Sequence, residues 1–400
     1  MKERNINNIN FIFNLNDNVN ISINNNTYVK QPQPQNISDE IVITSYYKKE
    51  DSNNELNSTA SNSYSTIDLS SSFMLCKTQS GCRCIQNKIM SDPSFANSTL
   101  YPCLRPKMLH LINDKFGNYL YQQFLDVLET PNLEDLICFI SDHFNSIAYS
   151  PHCTRVVQKL IEHFSQTRPN EAKLIYEKMK INLQGKICEI ANDENANHII
   201  QKFILLIKFP FNDFVYEEIY NNFVKIAITK YGCCVVQKCL MNGNQNQQQK
   251  IIFLILQNTF FLISNQFGNY VYQCLIFLND DRIIMEIYKI IYAKIILLCK
   301  EKYSSNVIEK IFEIRNKSLI NDIAANIRQN EYNILELITD QYGNYIIQKI
   351  INSVTNPQII AKIINVISHN SQMISKISFG KKLILKLSKK YKVLEQLIWA

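Results

Sequence analysis

From about Ile67 to the end of the chain, apolar residues recur at the three- and four-residue spacing of amphipathic helices. Ile283, Ile284, Ile287 and Ile291 make one such stripe, and Ile251, Ile252, Ile255, Leu256 and Phe260 make another. Upstream the pattern is missing. Asn, Ser and acidic or polar residues dominate, which predicts a disordered, low-complexity tail over residues 1–65 ahead of a helical domain over 66–400. The longest apolar run, Ile251 to Ile263, is broken by Gln257, Asn258 and Thr259, so it predicts no membrane span.

A phrase returns along the helical part. Lys115 to Gln122, Gln266 to Gln273 and Gln341 to Gln348 are near-copies of one eight-residue string containing Gly-Asn-Tyr. Looser copies align on the residue after the Gly slot and on the residue four places later. Their first positions are Cys82, Asn118, Thr154, Asn197, Cys233, Asn269, Ser305 and Asn344, spaced 36, 36, 43, 36, 36, 36 and 39 residues apart. A period near 36 is the signature of stacked helical repeats, each burying its apolar face on its neighbours. The expected fold is all-α: a right-handed α-solenoid of eight repeats with terminal caps. Each repeat should be a short lead-in, a helix, a turn and a second helix. Gly81, Gly117, Gly232, Gly268 and Gly343 should sit in the tight turn that enters the motif helix, and the Asn or Ser after the Gly slot should serve near that helix's N-terminus. The insertions fall at Ser165 to Glu171 and around Arg315 to Glu331. A degenerate copy, Phe379-Gly380-Lys381-Lys382, predicts a C-terminal cap, and only Ser65 to Gln79 can supply helix for the first repeat.

On a helix, motif positions one and five are i and i+4 and share a face, with position two at its edge. Positions three and four are almost all Val, Ile, Leu or Tyr and should turn inward. Each repeat is therefore expected to expose three side chains. Position one is Cys82, Asn118, Thr154, Asn197, Cys233, Asn269, Ser305 or Asn344. Position two is Arg83, Tyr119, Arg155, His198, Cys234, Tyr270, Asn306 or Tyr345. Position five is Gln86, Gln122, Gln158, Gln201, Gln237, Gln273, Glu309 or Gln348.

Aromatic, imidazole and guanidinium groups at position two offer stacking surfaces for unstacked bases, while positions one and five offer donors and acceptors for base edges. Asn with Gln can complement uracil. Glu309, an acceptor only when ionised, suits the two donors of guanine, and Gln beside a small Cys suits adenine. Lys159, Lys202, Lys238, Lys310 and Lys349 follow position five directly, as phosphate-facing or solvated rim charges. An armadillo- or HEAT-type protein-binding solenoid shares the period but requires no exposed amide at position five.

With these residues placed, residues 66 to 400 resemble the Pumilio (PUF) family of sequence-specific RNA-binding proteins. The resemblance implies an antiparallel single-stranded RNA with its 5′ base on the last repeat. Asn344/Gln348 then implies U, Ser305/Glu309 G, Asn269/Gln273 U, Cys233/Gln237 A, Asn197/Gln201 U, Thr154/Gln158 A, Asn118/Gln122 U and Cys82/Gln86 A, giving UGUAUAUA. Two departures weaken this reading: Thr154 replaces the usual Cys or Ser, and Cys234 replaces the usual Arg or aromatic residue. The resemblance implies a cytoplasmic, monomeric repressor acting on 3′ untranslated regions of messages, with deadenylation or decapping machinery on the convex face. A nucleolar relative acting in ribosome assembly is the alternative within the family.

Charge and composition add little. A net charge of +7 accommodates one basic face without requiring it. Met1 to Asn10 has no apolar leader core, and Cys82/Cys84 and Cys233/Cys234 have the wrong spacing for a zinc clamp. Free thiols, no cofactor and no metal are therefore expected. None of the six His joins a nucleophile and an acid in a recognisable catalytic motif, so no enzyme is expected.

Overall fold

The computed structural model describes residues 72–164 and 169–391. The chain divides into units Met1–Ser63 and Tyr64–Ala400. The first, and with it the expected tail over 1–65, lies outside the described residues.

Among the described residues the structure is helices and turns with no strand. A typical repeat has three helices rather than two. Repeat six is Thr259–Ile263, Gly268–Phe277 and Asp281–Ile291. The predicted apolar stripe ending at Phe260 is thereby corrected. Asn258 closes the helix Gln245–Gln257, and Phe260 belongs to the next helix, 38% exposed with the Lys294 ammonium over its ring at 4.5 Å. Ile283, Ile284, Ile287 and Ile291 are all buried, as their spacing predicts.

The motif helices are α1 (Gln79–Ser91), α2 (Gly117–Val127), α3 (Thr154–Phe164), α4 (Asn197–Leu206), α5 (Gly232–Asn242), α6 (Gly268–Phe277), α7 (Ser304–Ile311) and α8 (Gly343–Ser353). The degenerate copy supplies α9 (Ser378–Ser388). Each packs on the next, so α1 to α9 form one row. Third helices form a second row, as where Asn132–Asp142 packs on Pro169–Leu183. The chain is an α-solenoid. The core lies between the rows: Leu120, Tyr121, Phe124 and Leu125 of α2 are fully buried, with Tyr121 and Phe124 edge-on at 5.4 Å. Positions three and four are likewise buried in every repeat except at Cys84 of repeat one, which is half-buried. Each such aliphatic or aromatic side chain is worth about 1.5–3 kcal/mol.

The Gly slot is required by close approach, not by a left-handed backbone. A Cβ on Gly343 would lie 2.8 Å from the Leu337 carbonyl oxygen, and one on Gly117 2.5 Å from that of Leu111. The only described Gly with positive φ is Gly185, outside the motifs. Cys153, Ala196 and Ser304 fill the slot in repeats three, four and seven and are buried.

Candidate RNA interface

All eight position-one side chains are buried, from 1% exposure at Asn118 to 6% at Ser305. This corrects the expectation that they are presented to solvent. Position two is exposed at Arg83, Tyr119, Arg155, His198, Tyr270, Asn306 and Tyr345, with Cys234 half-buried. Position five is half-buried in every repeat. The stacking candidates of neighbouring repeats reach one another, since Arg155 Nη1 donates to Tyr119 Oη at 3.2 Å.

The reason for the burial is visible in the four Asn repeats. Asn118 Nδ2 donates to the carbonyls of Asp114 (2.9 Å) and Lys115 (3.0 Å), and its Oδ1 accepts from Gln122 Nε2 at 2.9 Å. Asn197, Asn269 and Asn344 repeat this arrangement, with Gln201, Gln273 and Gln348 donating to them at 2.6, 2.9 and 3.1 Å. Carbonyl oxygens only accept, so the Asn amide has one orientation and the Gln must donate to it. Each Gln keeps one N–H and its Oε1 free of the Asn.

The Asn does not cap its helix, which corrects a second expectation. Capping falls to the residue four places earlier. Asp114, Asp193, Asn265 and Asp340 each accept two backbone N–H groups through Oδ1, as where Asp114 takes those of Phe116 (2.8 Å) and Gly117 (3.0 Å). An acceptor there satisfies donors that the helix leaves open. These four residues are absent from the sequence-derived site. Their constant distance from the Asn is the signal that marks them.

The remaining repeats are wired differently. Cys82 Sγ donates to the Phe116 carbonyl (3.2 Å) and Thr154 Oγ1 to that of Asn195 (3.4 Å), both in the following repeat. Cys233 and Ser305 donate within their own repeats, to Lys230 and Lys302. Among the described residues nothing in these repeats ties position five to position one. Gln86 instead donates to the Tyr119 carbonyl, and Glu309 faces Lys349 at 3.6 Å. Cys234 lies 4.0 Å from Cys233 between their sulfurs. The Cys233 thiol, and then Lys238, draw the Cys234 thiol below its usual range, against the opposing effect of burial.

The lysines after position five, expected as phosphate-facing or solvated rim charges, are mostly engaged in ion pairs. Lys159 pairs with Asp126 (3.1 Å), Lys202 with Glu162 (2.6 Å) and Lys349 with Glu313 (2.5 Å). In each pair the acid is motif position nine of the preceding repeat. Lys310 pairs within its own repeat with Glu313, just past the end of its helix, at 2.6 Å. Half-exposed pairs of this kind contribute at most about 1 kcal/mol each. Where position nine is Leu205, Lys238 stays exposed.

Among the described residues no three or more His, Cys, Asp or Glu side chains are grouped to hold a metal ion. The twelve Cys are free thiols. No described helix is long and apolar enough to cross a membrane.

The profile of the Pumilio-family RNA binding repeat matches residues 73–91, 107–140, 143–168, 186–219, 222–256, 258–291, 294–327 and 333–368. The chain is 26% identical over 340 residues to a Pumilio domain-containing protein of Schizosaccharomyces pombe, covering 84% of this chain and 48% of that one. It is 31% identical over 346 residues to the suppressor protein MPT5 of Saccharomyces cerevisiae, covering 76% and 39%. The chain thus spans about half the length, or less, of these curated relatives. Among solved structures it is similar to the Puf4 RNA binding domain bound to an HO endonuclease RNA 3′ UTR recognition sequence (TM-score 0.69, 29% identity, 78% of this chain and 96% of that one). It is also similar to the RNA-binding domain of yeast Puf5p bound to SMX2 RNA (TM-score 0.66, 28% identity, 82% and 97%). Eight matched repeats over most of the described chain, on a solenoid of this geometry, make the protein a member of the Pumilio family of sequence-specific RNA-binding proteins, a non-enzymatic family.

Proposed function

We propose that the protein reads the single-stranded element UGUAUAUA in messenger 3′ untranslated regions, repeat eight taking the 5′ U and repeat one the 3′ A, and that it represses translation or promotes decay of those messages. The observation that carries the reading is the strict alternation of two kinds of reader along the row. Repeats two, four, six and eight hold the oriented Asn–Gln unit, and only repeat seven carries a carboxylate at position five.

In the Asn repeats the second Nε2–H and the Oε1 of Gln match a uracil carbonyl and the adjacent N3–H, the Oε1 of Gln348 also accepting from Lys386. The Asn acts through the Gln rather than on the base. Glu309 accepts from the N1–H and exocyclic amine of guanine. Gln237, Gln158 and Gln86, free of any bond to position one, can turn to the acceptor and donor of adenine. Tyr119, Tyr270, Tyr345, Arg83, Arg155 and His198 stack on the bases, at about 1–3 kcal/mol per base. Structures similar to this one hold 3′ UTR recognition sequences, which supports the message class. A cytoplasmic location, a monomeric state, and deadenylation or decapping partners on the outer helix row complete the proposal.

The test is selection of randomised single-stranded RNA by the full chain, followed by sequencing. Enrichment of UGUA with a downstream AU-rich half is expected, and the spread at base six reports on Thr154. Binding without enrichment favours a ribosome-assembly role. Absence of RNA binding leaves a protein scaffold and overturns the reading.

A further inference from the structure

The eighth repeat is not the last step of the row. α9 packs on α8 in the register of a motif helix. A Cβ on Gly380 would meet the carbonyl oxygen of Ile374, six residues back, as one on Gly343 meets that of Leu337. In that register Lys381, Lys382 and Lys386 occupy positions one, two and six, and Leu385 occupies position five. A reader is therefore absent, since Leu has no polar group for a base edge.

The position-one residue also behaves differently here. The eight preceding ones are buried, whereas Lys381 is exposed, and Ile377 stands where the Asn repeats have their capping Asx residue. Lys382 is exposed at the stacking slot. Neither lysine is in an ion pair among the described residues.

Lys386 shows where this basic end points. Its counterparts in repeats three, four and eight pair with an acid at position nine of the preceding repeat, but position nine of repeat eight is Asn352. Lys386 reaches instead to Gln348, its Nζ donating to Oε1 at 2.7 Å. The basic face of α9 is thus within hydrogen-bond reach of the side chain assigned to the first base. Gln348 is held at both ends of its amide, by Asn344 and by Lys386.

We propose that α9 is a ninth, non-reading step of the RNA interface, in which Lys381 and Lys382 bind the phosphate on the 5′ side of the first base. This rests on the polarity given under Proposed function. The ligand is an RNA phosphate, either the terminal 5′-phosphate of a short RNA or the internucleotide phosphate of a longer one. Two exposed ammonium groups with a Leu in place of the base reader favour the backbone over a base, because phosphate contacts position the strand without reading it.

The experiment measures affinity of the full chain for four RNAs: the octamer UGUAUAUA with a 5′-hydroxyl, the same with a 5′-phosphate, one extended by two nucleotides at the 5′ end and one extended likewise at the 3′ end. The ratio of affinities to the plain octamer is compared between the natural chain and a Lys381→Gln/Lys382→Gln variant, whose folding is verified by its melting curve. In the natural chain one or both 5′ forms bind several-fold tighter at low salt, and their salt dependence steepens by about 0.7 in log–log slope per phosphate engaged. The 5′-phosphate arm and the 5′-extension arm separate a terminal from an internucleotide phosphate. In the variant the ratio falls to about one.

No gain from either 5′ form, a gain that survives in the variant, or a gain from the 3′ extension instead overturns the site. Failure of every octamer-containing RNA to bind overturns the proposed element, and this site with it. That result is distinct from octamer binding without a 5′ gain.

Discussion

Even-numbered and odd-numbered repeats share one backbone and hold position five in opposite ways. In repeats two, four, six and eight the Asn spends both N–H groups on backbone carbonyls and uses its oxygen to fix the Gln. In repeats one, three, five and seven the small side chain at position one bonds to backbone, in two cases across to the next repeat, and Cys233 also meets the Cys234 thiol. The even repeats are internally organised before any ligand arrives, which lowers the ordering cost of binding. The odd repeats leave their reader to its surroundings, and Glu309 is set by a lysine of repeat eight. The lesson is that a two-residue motif conceals a larger unit. The Asx residue four places upstream, the two carbonyls and the Asn make one device, and the Gln is its output.

The largest effect is expected from converting one kind of repeat into the other. Ser305→Asn with Glu309→Gln should give repeat seven an even-type reader. Competition between UGUAUAUA and UUUAUAUA should then reverse preference at the second base, each matched pair being worth about 1–3 kcal/mol of discrimination. A double variant that still prefers G would break both the register and the comparison.

Next, Asn269→Ala should cost about 1–3 kcal/mol of folding stability through lost buried hydrogen bonds and should blur discrimination at the third base. Cys233→Ala, which removes only a weak thiol donor, should cost less than about 1 kcal/mol. Chemical denaturation and equilibrium binding measure both. Equal losses would show that position one does the same work in both kinds of repeat.

A smaller gain is expected from Cys234→Tyr. It supplies the stacking surface that repeat five lacks and should tighten octamer binding by up to about 1–3 kcal/mol. Unchanged affinity would remove position two of this repeat from the base-stacking row.

The smallest effect separates two neighbouring thiols. Cys234 lies below the usual thiol range, so its reactive thiolate is present near neutral pH, whereas the contact with Cys234, and then burial, push Cys233 up. Iodoacetamide labelling followed by mass spectrometry should modify Cys234 first, at a rate that rises with pH and levels off earlier than that of Cys233. Bound octamer should slow it. Faster labelling of Cys233 would reverse the assignment.

The repeat period, the eight motif helices with their degenerate C-terminal copy, the inward positions three and four and the candidate readers were legible from residue types alone, because helical phase and a recurring phrase are local in sequence. The Asp114, Asp193, Asn265 and Asp340 caps are local too, four residues from the Asn. The burial of Asn118 and its counterparts was not legible. A polar side chain beside a reading position looks exposed until the carbonyls that receive it are in place. The lysines show the same limit. Lys159, Lys202 and Lys349 meet acids 33, 40 and 36 residues upstream, across the boundary between repeats. The sequence by itself determined that this chain is a solenoid of Pumilio-family RNA binding repeats, each with a candidate reader. Only the tertiary structure decided which of those side chains are exposed, which orient a neighbour and which pair between repeats, because hydrogen bonds and ion pairs between repeats depend on distances that a linear pattern does not contain.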